Sequence, residues 1–168
     1  TYMQEGARMM ARYCAMTLAL LLLLASVVSY GHASLVAPAS LGHGGDRYLA
    51  CNTTPQSIPD AVPSGIVSEA YFAHDVLCGE VLVYVEIAHS YIGDLTVDVT
   101  SPEGTTVRLH NRTGSGADEI AGWYDEELPV DGPGSLVDFY GEAAPGTWTL
   151  EVVDHAAGGV GDLGLWCV

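Results

Sequence analysis

The sequence predicts an all-β fold, either a sandwich or a barrel. Three observations carry this: apolar residues recurring at every second position in several segments, Gly- and Pro-rich turns between those segments, and no convincing helical periodicity after residue 33. In chain order, "SIPDAVPSG" (57–65) comes first, where Pro59, Pro63 and Gly65 exclude a helix. "GIVSEAYF" (65–72) then alternates. "EVLVYVEIA" (80–88) sets Val81, Val83, Val85 and Ile87 on one face, with Leu82, Tyr84 and Glu86 on the other. "DLTVDVT" (94–100) repeats the pattern with Leu95, Val97 and Val99 inward. "SPEGT" (101–105) is a tight turn, and "TVRLH" (106–110) returns as its partner strand. "TWTLEVVD" (147–154) alternates again, "HAAGGVGD" turns, and "LGLWCV" is a final strand. No internal repeat is present.

Upstream, "CAMTLALLLLLASVV" (14–28) is one apolar run preceded by Arg8 and Arg12 and followed by Gly31 and Ala33 at small-residue positions. That pattern describes a cleavable secretory signal peptide over residues 1–33. The run falls short of the about 18 apolar residues of a spanning helix. Residues 34–56, rich in Ala, Ser, Gly and Pro, read as a linker or flexible arm, and 57–168 as the domain. The expectation is an extracellular or periplasmic protein with no membrane contact after cleavage. The formal net charge is −16, from 21 acids against 5 basic residues, none of them lysine. Such a surface repels nucleic acid and anionic lipid. Cys14 leaves with the signal peptide, so Cys51, Cys78 and Cys167 allow one bridge at a time. This reading pairs Cys78, which opens a strong strand, with Cys167, and leaves Cys51 free or intermolecular.

The chain offers no legible catalytic site. With His32 removed in the signal peptide, the histidines left at 43, 74, 89, 110 and 155 form no H-E-x-x-H signature, no G-x-S-x-G elbow occurs, and Ser115 lies in a turn. The stretch "HSYIGDL" (89–95) reads as a corner of a β fold. There His89 packs hydrogen-bonded against the bend, Tyr91 and Ile92 cross it, Gly93 supplies an unusual backbone angle, and Asp94 bonds nearby backbone N–H groups. The sharper alternative is a metal site using Asp94 and Asp98. In "DFYGE" (138–142), Asp138 and Glu142 either cap a turn or, with Asp125 or Asp131, ligate calcium. Trp148 and Trp166 suit a sandwich core, with carbohydrate stacking as the alternative. Asn52 and Asn111 open glycosylation sequons, which matter only in a eukaryotic secretory pathway.

Three ordered stretches carry a family resemblance: "IPD" at 58–60, "VEIAHSYIGDLTVDVTSPEGTTVRLHNRTGSGAD" at 85–118 and "DGPGSLVDFYGEAAPGTWTLEVVDHAAGGVGDLGLWC" at 131–167. Together, from about Ile58 to Val168, they resemble the P domain, or P/Homo B domain, of kexin- and furin-type proprotein convertases and of secreted bacterial serine and metalloproteases. Ser90 stands where that family commonly has Thr. The resemblance implies a jelly-roll β-sandwich that is not itself an enzyme, and that packs on and stabilises a subtilisin-like catalytic domain. No stretch here is similar to that domain's triad segments. Two expectations follow: a secreted accessory or interaction module for a protease or another extracellular protein, or a piece of a secreted protease whose catalytic domain lies elsewhere. An autonomous hydrolase is the third and weakest reading.

Overall fold

The structure, a computed structural model, describes residues 47–168; the predicted signal peptide and residues 34–46 of the predicted linker lie outside them. Among the described residues nine strands follow one another: β1 (Cys51–Asn52), β2 (Gln56–Ile58), β3 (Ile66–Phe72), β4 (Val83–His89), β5 (Leu95–Thr100), β6 (Thr106–Asn111), β7 (Glu119–Tyr124), β8 (Gly146–Asp154) and β9 (Gly161–Cys167). Helical structure among the described residues is confined to 3-10 turns at Ile92–Asp94 and Leu136–Phe139.

The strand pairings are antiparallel, and four of them nest: β5 with β6, β4 with β7, β3 with β8, and β2 with β9. The chain is therefore one long hairpin. Rolling it up brings β9 beside β4 and β8 beside β5. The result is two sheets, ordered β1-β9-β4-β7, with β2 also on β9, and β3-β8-β5-β6. This is the jelly-roll sandwich.

The inner faces supply the core. Val83 and Val85 of β4, Leu95, Val97 and Val99 of β5, Val107 and Leu109 of β6, and Leu150 and Val152 of β8 are all fully buried. Each contributes roughly 1.5–3 kcal/mol through burial. Trp148 and Trp166 lie in this core, 1% and 0% exposed, so neither can stack on a sugar. Their indole N–H groups donate to Ala144 O at 3.0 Å and to Ser68 Oγ at 2.9 Å. Phe139 meets Trp148 edge-on with centroids 5.1 Å apart.

Two expectations need correction. The predicted linker ends early, because β1 and β2 place Cys51–Asn52 and Gln56 in the sandwich, paired with β9. The predicted Cys78–Cys167 bridge is replaced by Cys51–Cys167. Ala50 and Val168 exchange both backbone hydrogen bonds, at 2.8 and 2.9 Å. The next pair, Cys51 and Cys167, is therefore a non-hydrogen-bonded cross-strand pair, where facing side chains come closest. Cys78 is instead a buried free thiol tied to another segment, its N–H donating to Glu142 O and its carbonyl accepting from Gly141 N–H, both at 2.8 Å.

Candidate functional site

Chemistry-bearing side chains concentrate at the corner after β4. His89 is 2% exposed. Its Nδ1 lies 3.0 Å from Tyr91 O and 3.2 Å from Tyr91 N, and its Nε2 lies 3.4 Å from Asp154 Oδ2. Both side chains of this His–Asp pair are sealed from solvent, and neither Nε2 nor Oδ2 has a closer partner. Gly159 leaves room for the ring, since a Cβ there would sit 2.6 Å from His89 Cε1. Two further histidines brace the same corner: His110 Nε2 is 3.0 Å from Ile92 O, and His155 Nε2 is 3.0 Å from Thr96 Oγ1.

The corner's details differ from the sequence reading. Gly93 does not have a positive φ; it is needed for space, because a Cβ would lie 2.8 Å from the Tyr91 ring and 3.0 Å from the Ser115 backbone. Asp94 holds the turn through its backbone, with its N–H donating to Tyr91 O at 3.2 Å and its carbonyl accepting from His155 N–H at 3.0 Å.

A carboxylate orienting a histidine is half of a hydrolytic triad. The other half is missing from this corner. Ser90 Oγ accepts the Val160 N–H at 3.0 Å, and no hydroxyl or thiol is hydrogen-bonded to His89 among the described residues. The arrangement pins β4 to the end of β8.

The proposed calcium ligands do not converge. Asp138 accepts the Ser135 N–H at 2.9 Å and forms a capping box on the 3-10 turn at Leu136–Phe139. Glu142 accepts from Ser101 Oγ at 2.6 Å and from Thr105 Oγ1, clamping the 101–105 turn. Asp98 takes two 2.9 Å bonds from Arg108, while Asp131 accepts from Thr113 Oγ1 and the Asp125 N–H donates to Leu128 O at 2.8 Å. Among the described residues, no three His, Cys, Asp or Glu side chains gather where they could hold a metal ion. The residues do not fit a calcium site.

Burial, then the charges of Glu142 and Glu103, raise the Cys78 thiol above its ordinary pKa. It is therefore a poor nucleophile. Burial and then the charge of Asp131 push the Tyr124 phenol well above its usual range, and its hydroxyl has no partner. Sequence reasoning missed Tyr124 together with its strand, β7. It also missed the half-buried Tyr84–Trp123 pair on the outer face of β4 and β7, with ring centroids 5.2 Å apart. Alternation in "EIAGWY" was the available signal, weakened because the inward position between Ile120 and Tyr124 is Gly122.

With that geometry established, comparison with known proteins is specific. The family model for the proprotein convertase P-domain matches residues 78–168. The chain belongs to the proprotein convertase P-domain family. This P domain is 36% identical over 118 residues to leupeptin-inactivating enzyme 1 of Streptomyces exfoliatus, covering 68% of the chain and 24% of that protein. It is 45% identical over 84 residues to the calcium-dependent protease of Trichormus variabilis, covering 48% of the chain and 12% of the relative. Among solved structures, the serine protease of Aeromonas sobria in complex with its chaperone aligns with a TM-score of 0.48 at 23% identity, over 74% of this chain and 27% of that one. The chain thus spans about a quarter or less of the length of the curated relatives it matches.

Proposed function

We propose that this P domain is an extracellular, non-catalytic accessory module that docks on a protease catalytic domain and stabilises it. The carrying observation is that the family match spans β4 to β9 of a jelly-roll sandwich, and that relatives named as proteases have chains several times longer. Two features favour a scaffold role. His89, His110 and His155 are committed to bracing one corner, and the Cys78 thiol is buried with a raised pKa. The calcium in the Trichormus relative's name has no counterpart in Asp94, Asp98, Asp138 or Glu142, which serve turns and an ion pair. In this reading, calcium does not act through those four residues.

The test is a chimera. The region of the Trichormus protease that aligns with this chain, extended to the whole sandwich, is exchanged for residues 47–168 of this chain. The reading predicts that the chimera folds and cleaves substrate, whereas deletion of the segment gives an insoluble or inactive protease. A chimera as inactive as the deletion, with the grafted sandwich shown to be folded by near-ultraviolet circular dichroism, would refute it.

A further inference from the structure

The outer face of the β9-β4-β7 sheet holds an aromatic pair flanked by acids. Tyr84 and Trp123 stand directly opposite each other on β4 and β7, with ring planes inclined at 57°. On the same face Ala121 stands opposite Glu86 on β7, while on β9 Leu165 faces Glu86 and Cys167 faces Tyr84, with Gly164 the extra residue of a β-bulge. Two carboxylates flank the rings. Glu86 accepts the Tyr84 hydroxyl at 3.1 Å through Oε1, and Glu127 accepts the Trp123 backbone N–H at 3.0 Å through Oε2. Each keeps its second oxygen without a protein partner among the described residues. Burial, the bond to Glu86, and the charges of Glu86, Glu127 and Glu119 together raise the Tyr84 pKa, which marks a local negative potential.

Among the described residues, no cation pairs with these charges. The arginine ion pairs among the described residues are Arg47–Glu80 and Arg108–Asp98. A guanidinium complements such a face: its plane stacks on an aromatic ring while its forked N–H groups reach carboxylate oxygens. A lysine ammonium is a point charge with no plane to stack. The net charge of −16 draws basic partners toward the whole molecule. We propose that the Tyr84–Trp123 face takes an arginine side chain from the surface of a protein partner. This goes beyond the accessory reading and does not require that partner to be a protease.

The probe is acetyl-Gly-Arg-Gly-amide, titrated into the full chain alongside its lysine and citrulline analogues. The readout is the indole N–H resonance of Trp123, distinct from those of the buried Trp148 and Trp166. The arginine peptide should shift it saturably and the neutral citrulline peptide should not. Trp123→Ala should abolish peptide binding as read by calorimetry. A Glu86→Gln/Glu127→Gln variant, whose changes lie on the outer face, should bind about five-fold or more weakly with an unchanged melting temperature. The proposal is overturned if citrulline or lysine works as well as arginine, if the double variant binds unchanged, or if no saturable shift occurs.

Discussion

Removing the Cys51–Cys167 bridge should be the most costly single covalent change in this molecule. The bridge closes a loop of 116 residues. In the chain-entropy model, a loop of that length restricts the unfolded state by about 16 cal/mol/K, or about 4.8 kcal/mol at 25 °C. Natural bridges typically deliver about 2–4 kcal/mol, so a loss of about 3–5 kcal/mol is expected. The native state also suffers, because β1 is only two residues long and is anchored to the last strand by this bond. The assay is urea unfolding followed by the fluorescence of the buried Trp148 and Trp166, with and without reductant. With a slope of about 2 kcal/mol/M, the midpoint should fall by roughly 2 M. Cys51→Ser should reproduce the whole loss and be insensitive to reductant. Cys78→Ser should keep the full reductant response, because Cys78 is a packed thiol and not a bridge partner. The reverse pattern, redox sensitivity kept in Cys51→Ser and lost in Cys78→Ser, would refute the pairing and the register of β1 on β9.

Other outcomes follow from the same geometry. Tyr124→Phe removes a buried hydroxyl that has no partner, so stability near neutral pH should hold or rise by up to about 1 kcal/mol; a loss above that in chemical denaturation would show a partner exists. The folded-state pKa of this phenol lies above its unfolded value of about 10. Its contribution is therefore fully present below about pH 10 and fades as pH rises toward the folded value, and the alkaline decline in melting temperature should be shallower in Tyr124→Phe. Asp154→Ala removes the carboxylate facing His89 Nε2 at 3.4 Å and leaves the Ala156 N–H without its acceptor, which should cost about 2–3 kcal/mol by urea titration; a loss below about 0.5 kcal/mol would show that the corner is not held there (roughly the size of an ordinary surface substitution). Excess calcium and excess magnesium should shift thermal unfolding equally at matched ionic strength, through screening alone; a calcium-specific rise abolished by Asp138→Asn and Glu142→Gln would restore the metal site.

Much of the sandwich is legible in the sequence because its central strands obey period two. β4, β5 and β8 carry unbroken inward rows such as Val83-Val85-Ile87 and Leu95-Val97-Val99. What escapes is what breaks that period. Simple alternation in "LGLWCV" would put Leu163 and Trp166 on opposite faces, yet both are buried. Leu163 faces Ile87 and Leu165 faces Glu86, so Gly164 is the extra residue of a bulge that resets the phase. β1 and β2 escape because strands of two and three residues have too few positions to show a period.

The same limit explains the candidate site. Residue type points to Glu142 and Asp98 as ligands, but their partners lie on other segments: Glu142 is 41 residues from Ser101 and Asp98 is 10 from Arg108, just as Cys51 is 116 from Cys167. Only Asp138 had a local signal, the Ser-x-x-Asp spacing of 135–138, which predicts a capped turn and not a metal. The Tyr84–Trp123 pair is 39 positions apart in sequence and forms only when β4 meets β7.

Peptide hydrolysis by the purified chain distinguishes a scaffold from an enzyme. Casein and a mixed peptide substrate would be assayed over a wide enzyme concentration, with His89→Ala and Asp154→Ala preparations alongside at a temperature where all remain folded. The account predicts no turnover above buffer for any of the three, since His89 and Asp154 are sealed structural partners. Turnover that is saturable in the parent chain and lost in His89→Ala would contradict it, and would make the corner after β4 an active site.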